Sequence, residues 1–186
     1  MSGQQTDEEL VTSFQSTGAP ADLEELARRH LRRVRNMLFH MVLNAADADD
    51  LAQEVMLRAF RGLPQFNGRA RFSTWLHAIA LNTARSFLAS RARDPCVPGE
   101  LPADASAPAR LTAAALALGS ELDVRITAGL ATLSPKLRAA LVLTVIHELD
   151  VAAVAAVERC TAATIYWRVF QAKRQLRKYL KDYLDE

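Results

Sequence analysis

Apolar residues recur at steps of three and four along most of this chain, and that period limits what it can fold into. Leu23, Leu26, Ala27, Leu31, Val34, Leu38 and the pair Met41/Val42 form one helical stripe, and Ile165, Val169, Ala172, Leu176 and Leu180 form another. No stretch alternates apolar and polar residues as a half-buried strand does. Seven glycines in 186 residues disfavour phosphate-cradling loops and many-turned β architectures. The expected fold class is all-α. Pro95, Pro98, Pro102 and Pro108, with Gly99, cannot sustain a helix between the two helical stretches. Two small helical domains joined by a flexible linker follow, with residues 1–20 as an N-terminal tail, 21–94 as the first domain, 95–119 as the linker and 120–186 as the second domain.

Half of the residues are apolar and 24% are charged, a globular balance that excludes a wholly disordered or collagen-like chain. No apolar run approaches the roughly 20 residues needed to cross a bilayer. The start, MSGQQTDEEL, lacks the basic and apolar regions of a secretory signal, so a cytoplasmic protein is expected. Cys96 and Cys160 lie far apart, without ligand spacing, and His30, His40, His77 and His147 are scattered singly. Neither a metal site, a cofactor nor a catalytic residue is expected. The net charge of +2 conceals an uneven distribution: the first 20 residues and the linker are acidic, and both helical stretches are basic. From Arg159 to Lys181 there are seven bases and no acid. Such a stripe can follow a phosphate backbone, although a solvated helix face is the plainer reading.

Within the first stretch, residues 1–20 are either a loose tail or one weak helix. A long helix follows from Ala21, and Asn44 begins a break. Asp47 or Asp49 can cap the next helix, over Asp50 to Arg61, which Gly62, Leu63 and Pro64 end. A loop then leads to a helix ending near Ser90, for which Ser73 or Thr74 is the natural cap. In the second stretch, Ser134 with Pro135 opens a helix running to about His147. Asp150 caps a short helix over 151–157, a tight break covers 158–161, and a basic helix runs from Ala162 to about Tyr183.

That short helix, break and longer helix have the proportions of a helix-turn-helix. Thr161, Tyr166, Trp167, Arg168, Phe170 and Gln171 fall early on the second helix, where base edges are read, and Lys173, Arg174 and Arg177 follow as phosphate partners. The turn position is Arg159 rather than glycine, uncommon where φ is positive. The segment LPQFNGRARFSTW, Leu63 to Trp75, interleaves aromatics with arginines ahead of a helix. Rings there can stack on unpaired bases while guanidinium groups hold the backbone. The plainer reading makes Phe66, Phe72 and Trp75 core anchors. Asp47, Asp49, Asp50 and Glu54 cluster without a histidine or EF-hand spacing, which suits a helix start and an acidic patch for a basic partner.

Two stretches, DDLAQEVMLRAF (Asp49 to Phe60) and FNGRARFSTWLHAIALNTAR (Phe66 to Arg85), resemble region two of the extracytoplasmic-function, group four, sigma factors of the sigma-70 family. LSPKLRAALVL (Leu133 to Leu143), with Thr164, Ile165 and the run Arg168 to Leu176, resembles their region four. The resemblance implies that Asp49, Asp50, Gln53, Glu54 and Arg58 dock on the clamp helices of the β′ subunit of bacterial core RNA polymerase. It implies that Phe66, Asn67, Arg69, Arg71, Phe72, Asn82 and Arg85 hold the melted minus-ten strand. Thr161, Thr164, Tyr166, Trp167, Arg168, Phe170, Gln171, Lys173 and Arg174 would then read the minus-thirty-five element. The linker would thread toward the polymerase active-site and RNA-exit channels, past β and β′. An anti-sigma factor, in some cases tied to a membrane signal, is a further implied partner. Ala152, Ala153 and Ala156 stand where the family usually has Glu or Tyr/Glu, and Tyr166 and Trp167 stand where basic residues commonly begin the recognition helix, so a distinct promoter sequence is expected.

The sequence thus reads as a promoter-specificity subunit that catalyses nothing itself. The rival is a free-standing helix-turn-helix regulator, which would leave the Phe66 to Trp75 loop and the acidic helix without a purpose. A small helical enzyme using the carboxylates between Asp47 and Glu54 lacks a partnering His or Lys in sequence reach.

Overall fold

A computed structural model describes residues 5–93 and 121–184. The expected linker and Cys96 lie outside the described residues. In chain order the elements are α1 (Asp7–Thr17), α2 (Pro20–Val42), α3 (Ala45–Gly62), a 3-10 turn (Leu63–Gln65), α4 (Phe72–Arg91), α5 (Glu121–Ala131), α6 (Pro135–Leu141) continuing as a π-helical turn (Val142–Ile146), α7 (Val151–Glu158) and α8 (Ala162–Leu184). Among the described residues there is no strand, and no helix is long and apolar enough to cross a membrane.

Of the two possibilities for residues 1–20, a helix forms, and it is firmly built. Thr6 accepts from the Glu9 amide at 3.2 Å while Glu9 Oε2 accepts from the Thr6 amide at 2.7 Å, a reciprocal cap worth about 1 kcal/mol. Asp7, Glu8 and Glu9 favour the positive end of the helix, and Gly18 closes it with φ 68°. Leu10 and Val11 are buried, and α1 packs on α2 and α4. Asp7 binds Arg29 (3.0 Å) and His30 (2.7 Å) of α2.

Two caps differ from expectation. α3 begins five residues earlier than Asp50, because Asn44 Oδ1 accepts the Asp47 amide at 3.1 Å. That frees Asp47 and Asp49 for ion pairs with Arg91 of α4 and Arg35 of α2. At α4, neither Ser73 nor Thr74 caps. The helix starts at Phe72, whose amide donates to Glu8 Oε1 of α1 at 3.3 Å. The core of this part is Leu26, Val34, Met37, Leu38, Met41, Val55, Leu63, Phe72, Leu76 and Leu81. Ala48, Ala52, Ala59, Ala80 and Ala84 are buried among them and let the helices approach closely.

The second part follows its sequence more closely. Ser134 and Pro135 open α6, Asp150 Oδ2 caps α7 through the Ala152 and Ala153 amides, and Arg159 takes the left-handed conformation at φ 50°. The helix expected to reach His147 instead widens into the π turn, closed by the His147 amide on the Val142 carbonyl at 2.9 Å. Ile165 and Ala172 are buried, with Val169 and Leu176 packed beside them, as the stripe requires.

Cations join the two parts. Arg33 of α2 donates to the His147 carbonyl at 2.6 Å. Arg138 of α6 donates to Leu130 (2.9 Å) and Leu133 (3.2 Å) carbonyls at the end of α5 and to the Met41 carbonyl at the end of α2 (2.9 Å). Both helix ends present partial negative charge to it. Burial lowers its pKa to about 10, which leaves it charged at neutral pH. Glu158, with its side chain 1% exposed, accepts from Arg85 of α4 and from Arg168 of α8 (2.6 Å). The His40, His77 and His147 rings meet at the same junction, with centroids 6.2 Å and 6.3 Å from that of His147.

Two expected outcomes follow from this junction. Burial, with help from Arg33 and neighbouring imidazoles, pushes His77 and His147 down to about 4. Both are neutral when folded near pH 6, whereas the unfolded chain takes up protons near pH 6.5. The unfolded state therefore binds more protons below that value, and stability falls with acidification from about 6.5 toward 4. Thermal midpoints across pH 7 to 5 should decline, and the double change His77→Gln, His147→Gln should flatten the profile. A wild-type midpoint constant over that range would refute it. Separately, Glu158→Gln removes the shared charge and should lower unfolding stability by about 1–3 kcal/mol in urea titrations; an unmoved midpoint would show the carboxylate is dispensable.

Candidate nucleic-acid interface

Three surfaces hold the residues singled out from the sequence. On α3, Asp49, Asp50, Gln53, Glu54 and Arg58 are all exposed along its outer side, while Leu51, Val55 and Ala59 face the core. Asp49 is engaged by Arg35, and Glu54 pairs with Arg58 at 2.5 Å, with Arg58 also donating to Thr83 Oγ1 at 3.1 Å. Asp50 and Gln53 make no hydrogen bond or ion pair to the described residues, so their polar groups face outward. In their midst Leu57 is 56% exposed, a large apolar side chain on a charged face.

The second surface is the loop between the 3-10 turn and α4. Asn67 Oδ1 accepts the Arg69 amide at 3.1 Å, and Gly68 turns with φ 68°, a conformation glycine adopts without strain. Asn67, Arg69 and Arg71 are exposed. A hollow of about 670 Å³ lies against this loop, lined by Asp7 and Glu8 on one side and Gly68, Arg69, Arg71 and Ser73 on the other. Phe66 is half-buried, with its ring 4.9 Å from Trp75 and 6.4 Å from Phe72. Phe72 is fully buried, which corrects its expected place among groups facing a nucleic acid. It anchors the loop from below, against His30 at 5.3 Å and Trp75 at 5.9 Å.

α1 straps this loop. Gln15 Nε2 donates to the carbonyls of Leu63 (2.9 Å) and Phe66 (2.8 Å), and Glu8 fixes the first amide of α4. Sequence reasoning missed Glu8 and Gln15. The Thr6–Glu9 spacing was the available signal, because a Ser/Thr followed three residues later by Glu marks a helix start. Such a helix has to pack on something.

Asn82 is exposed on α4, but Arg85, one turn further, is half-buried and held by Glu158. On α8, Thr161 accepts the Thr164 amide at 3.2 Å, and their hydroxyls meet at 2.9 Å, so this pair caps the helix. Tyr166, Trp167, Phe170, Lys173 and Arg174 are exposed, and Gln171 is half-buried. Arg168 turns inward to Glu158 at 2.6 Å. Arg85 and Arg168, expected to face nucleic acid from two separate surfaces, are thus tied to one buried carboxylate. Glu158 is the third residue that sequence reasoning did not single out. Among the described residues no group of His, Cys, Asp or Glu is arranged to hold a metal ion.

Residues 26–94, which carry α3, the loop and α4, match the family description Sigma-70 region 2. Over nearly its whole length the chain is 29% identical to the RNA polymerase sigma-H factor of Pseudomonas aeruginosa, covering 98% of each. It is 29% identical to the ECF RNA polymerase sigma-E factor of Escherichia coli K12, covering 95% of each. It is also 30% identical to the ECF RNA polymerase sigma factor SigE of Mycolicibacterium smegmatis, over 93% of this chain and 68% of that one. The fold is that of CnrH in complex with the cytosolic domain of CnrY, with TM-score 0.70, 21% identity and coverage of 95% and 97%. It is equally that of the sigma factor RpoE of Bartonella quintana in complex with the anti-sigma factor NepR, with TM-score 0.70, 22% identity and coverage of 86% and 97%. The chain belongs to the extracytoplasmic-function sigma factors of the sigma-70 family.

Proposed function

We propose that this chain binds bacterial core RNA polymerase, selects promoters through two separate surfaces and assists melting, while the core enzyme performs nucleotidyl transfer. The observation that carries the reading is the strapped loop from Phe66 to Arg71. Its Arg69 and Arg71 line a hollow large enough for a nucleobase, Asn67 is exposed beside them, and the Phe66 and Trp75 rings pack together at the base of the loop. Flipping a base costs a few kcal/mol, which stacking and edge hydrogen bonds can recover. Asn82 extends that surface along α4. The outer side of α3, from Asp49 to Arg58 with Leu57 among them, is the docking face for the β′ clamp helices. α8 carries the upstream duplex contacts from Thr161 to Arg174. Residues 21–94 and 120–186 act as the functional units of regions two and four, with α1 serving the first and 95–119 linking them.

Both solved neighbours named above are complexes, one with the cytosolic domain of CnrY and one with the anti-sigma factor NepR. An anti-sigma partner of this chain would act by holding the two units together. Phosphate can reach Arg85 and Arg168 only once Glu158 releases them. A free regulator is the weaker account, since it gives the outer side of α3 no task.

The test is run-off transcription with purified core polymerase, this protein and a library of promoter fragments. Initiation that depends on the protein is the expected outcome. A duplex shift by the protein alone, without initiation, would favour the free regulator. On a selected promoter, Phe66→Ala and Asn67→Ala should spare upstream duplex binding and reduce open-complex formation about tenfold or more; normal opening in both would make the loop structural. Arg174→Ala should weaken duplex binding and lower the slope of log affinity against log salt by about 1, as for one lost phosphate contact. An unchanged slope would remove Arg174 from the interface.

A further inference from the structure

The three most exposed large apolar side chains among the described residues sit together on the first turns of α8: Tyr166 at 64%, Phe170 at 63% and Trp167 at 59%. They lie opposite the buried stripe of Ile165 and Ala172, and none has a ring contact or hydrogen bond to the described residues. A contiguous aromatic patch left in water marks a binding surface. Its surroundings say for what: Arg159 precedes it, and Lys173, Arg174 and Arg177 follow it, with no acid from Arg159 to Lys181. The occupant is therefore polyanionic, and the patch stands where the second helix of a turn motif meets base edges in the major groove.

The apolar group that the base edges offer in the major groove is the C5-methyl of thymine. We infer that Tyr166, Trp167 and Phe170 read thymine methyl groups in adjacent base pairs of the upstream promoter element. This rests on the reading that α8 enters that duplex. Four residues, about 6 Å along the helix axis, separate Tyr166 from Phe170, against a rise of about 3.4 Å per base pair. The patch therefore covers two or three neighbouring pairs. Flanking cations supply affinity without regard to sequence, and the rings supply the discrimination.

Uracil tests this directly, because it differs from thymine at that position only by the methyl. The upstream element is first selected with the full-length protein and core polymerase, then each thymine is replaced by deoxyuridine in turn. Two or three adjacent replacements should each weaken promoter binding about three- to tenfold. Trp167→Ala and Phe170→Ala should each erase the uracil penalty at one of these thymines, whereas Arg174→Ala should weaken thymine and uracil versions while keeping their ratio. Melting curves of the two alanine variants establish that they fold. Indifference of the wild type to uracil, with binding intact, overturns the inference. So does a loss in either alanine variant of core-polymerase binding rather than of DNA discrimination, which would assign the patch to a protein. Failure to select any upstream element would instead sink the underlying reading of α8.

Discussion

A carboxylate with almost no contact with water needs positive charge beside it, and Glu158 finds it on both sides of the molecule. Arg168 comes from the helix that follows it, and Arg85 from α4 in the first part of the chain. Removing one member of a buried pair leaves an uncompensated charge, so the arrangement is held or lost as a unit. The other ties across the junction have the same character. Arg33 meets the His147 carbonyl, and Arg138 meets the Met41 carbonyl while closing the end of α5. An apolar seam with Leu143, Leu149, Val154 and Val157 accompanies them. Such polar ties fix orientation sharply, and each guanidinium keeps its charge in water. The junction is thus well defined when closed and leaves no orphaned arginine when it parts.

The loop over the aromatic floor depends on a different device. Its backbone carbonyls at Leu63 and Phe66 are bound by Gln15, and the amide that begins α4 is bound by Glu8. A segment fixed before a ligand arrives spends less ordering entropy on binding. The rings of Phe66, Phe72 and Trp75 serve the same end from beneath, because three mutually packed aromatics, one pair edge to face and two tilted, leave few alternative loop positions. The exposed Asn67, Arg69 and Arg71 then project from a platform whose position is set elsewhere.

Much of this was legible because helical period encodes which side of an element faces the core. The stripe at Ile165, Val169, Ala172 and Leu176 and the caps at Ser134–Pro135 and Asp150 follow local rules, and the structure obeys them, while Arg159 takes a left-handed turn that a non-glycine residue seldom adopts. What period does not encode is a partner far along the chain. Glu8 lies 64 residues before the amide it caps, and Glu158 lies 73 residues after Arg85. Phe72 shows a related limit, since alternating rings and arginines cannot tell which ring faces inward. α3 began early because Asn44, an equally good cap, stood ahead of the aspartates.

The division of labour on α8 explains why its aromatic face and its inward arginine belong to one design. In the proposed function Lys173, Arg174 and Arg177 hold the duplex backbone, so sequence preference has to come from groups that touch bases. Arg168, the charged residue among the first turns of the helix, is withdrawn to Glu158. What remains in front is apolar, and apolar groups discriminate by shape and methyl contact rather than by hydrogen-bond pattern. Releasing Glu158 would return a cation to that face and another, Arg85, to α4. In the proposed function the two surfaces would therefore change together: parting of the junction would return Arg85 and Arg168 to the faces that meet promoter DNA, and a partner that kept it closed would withhold both at once.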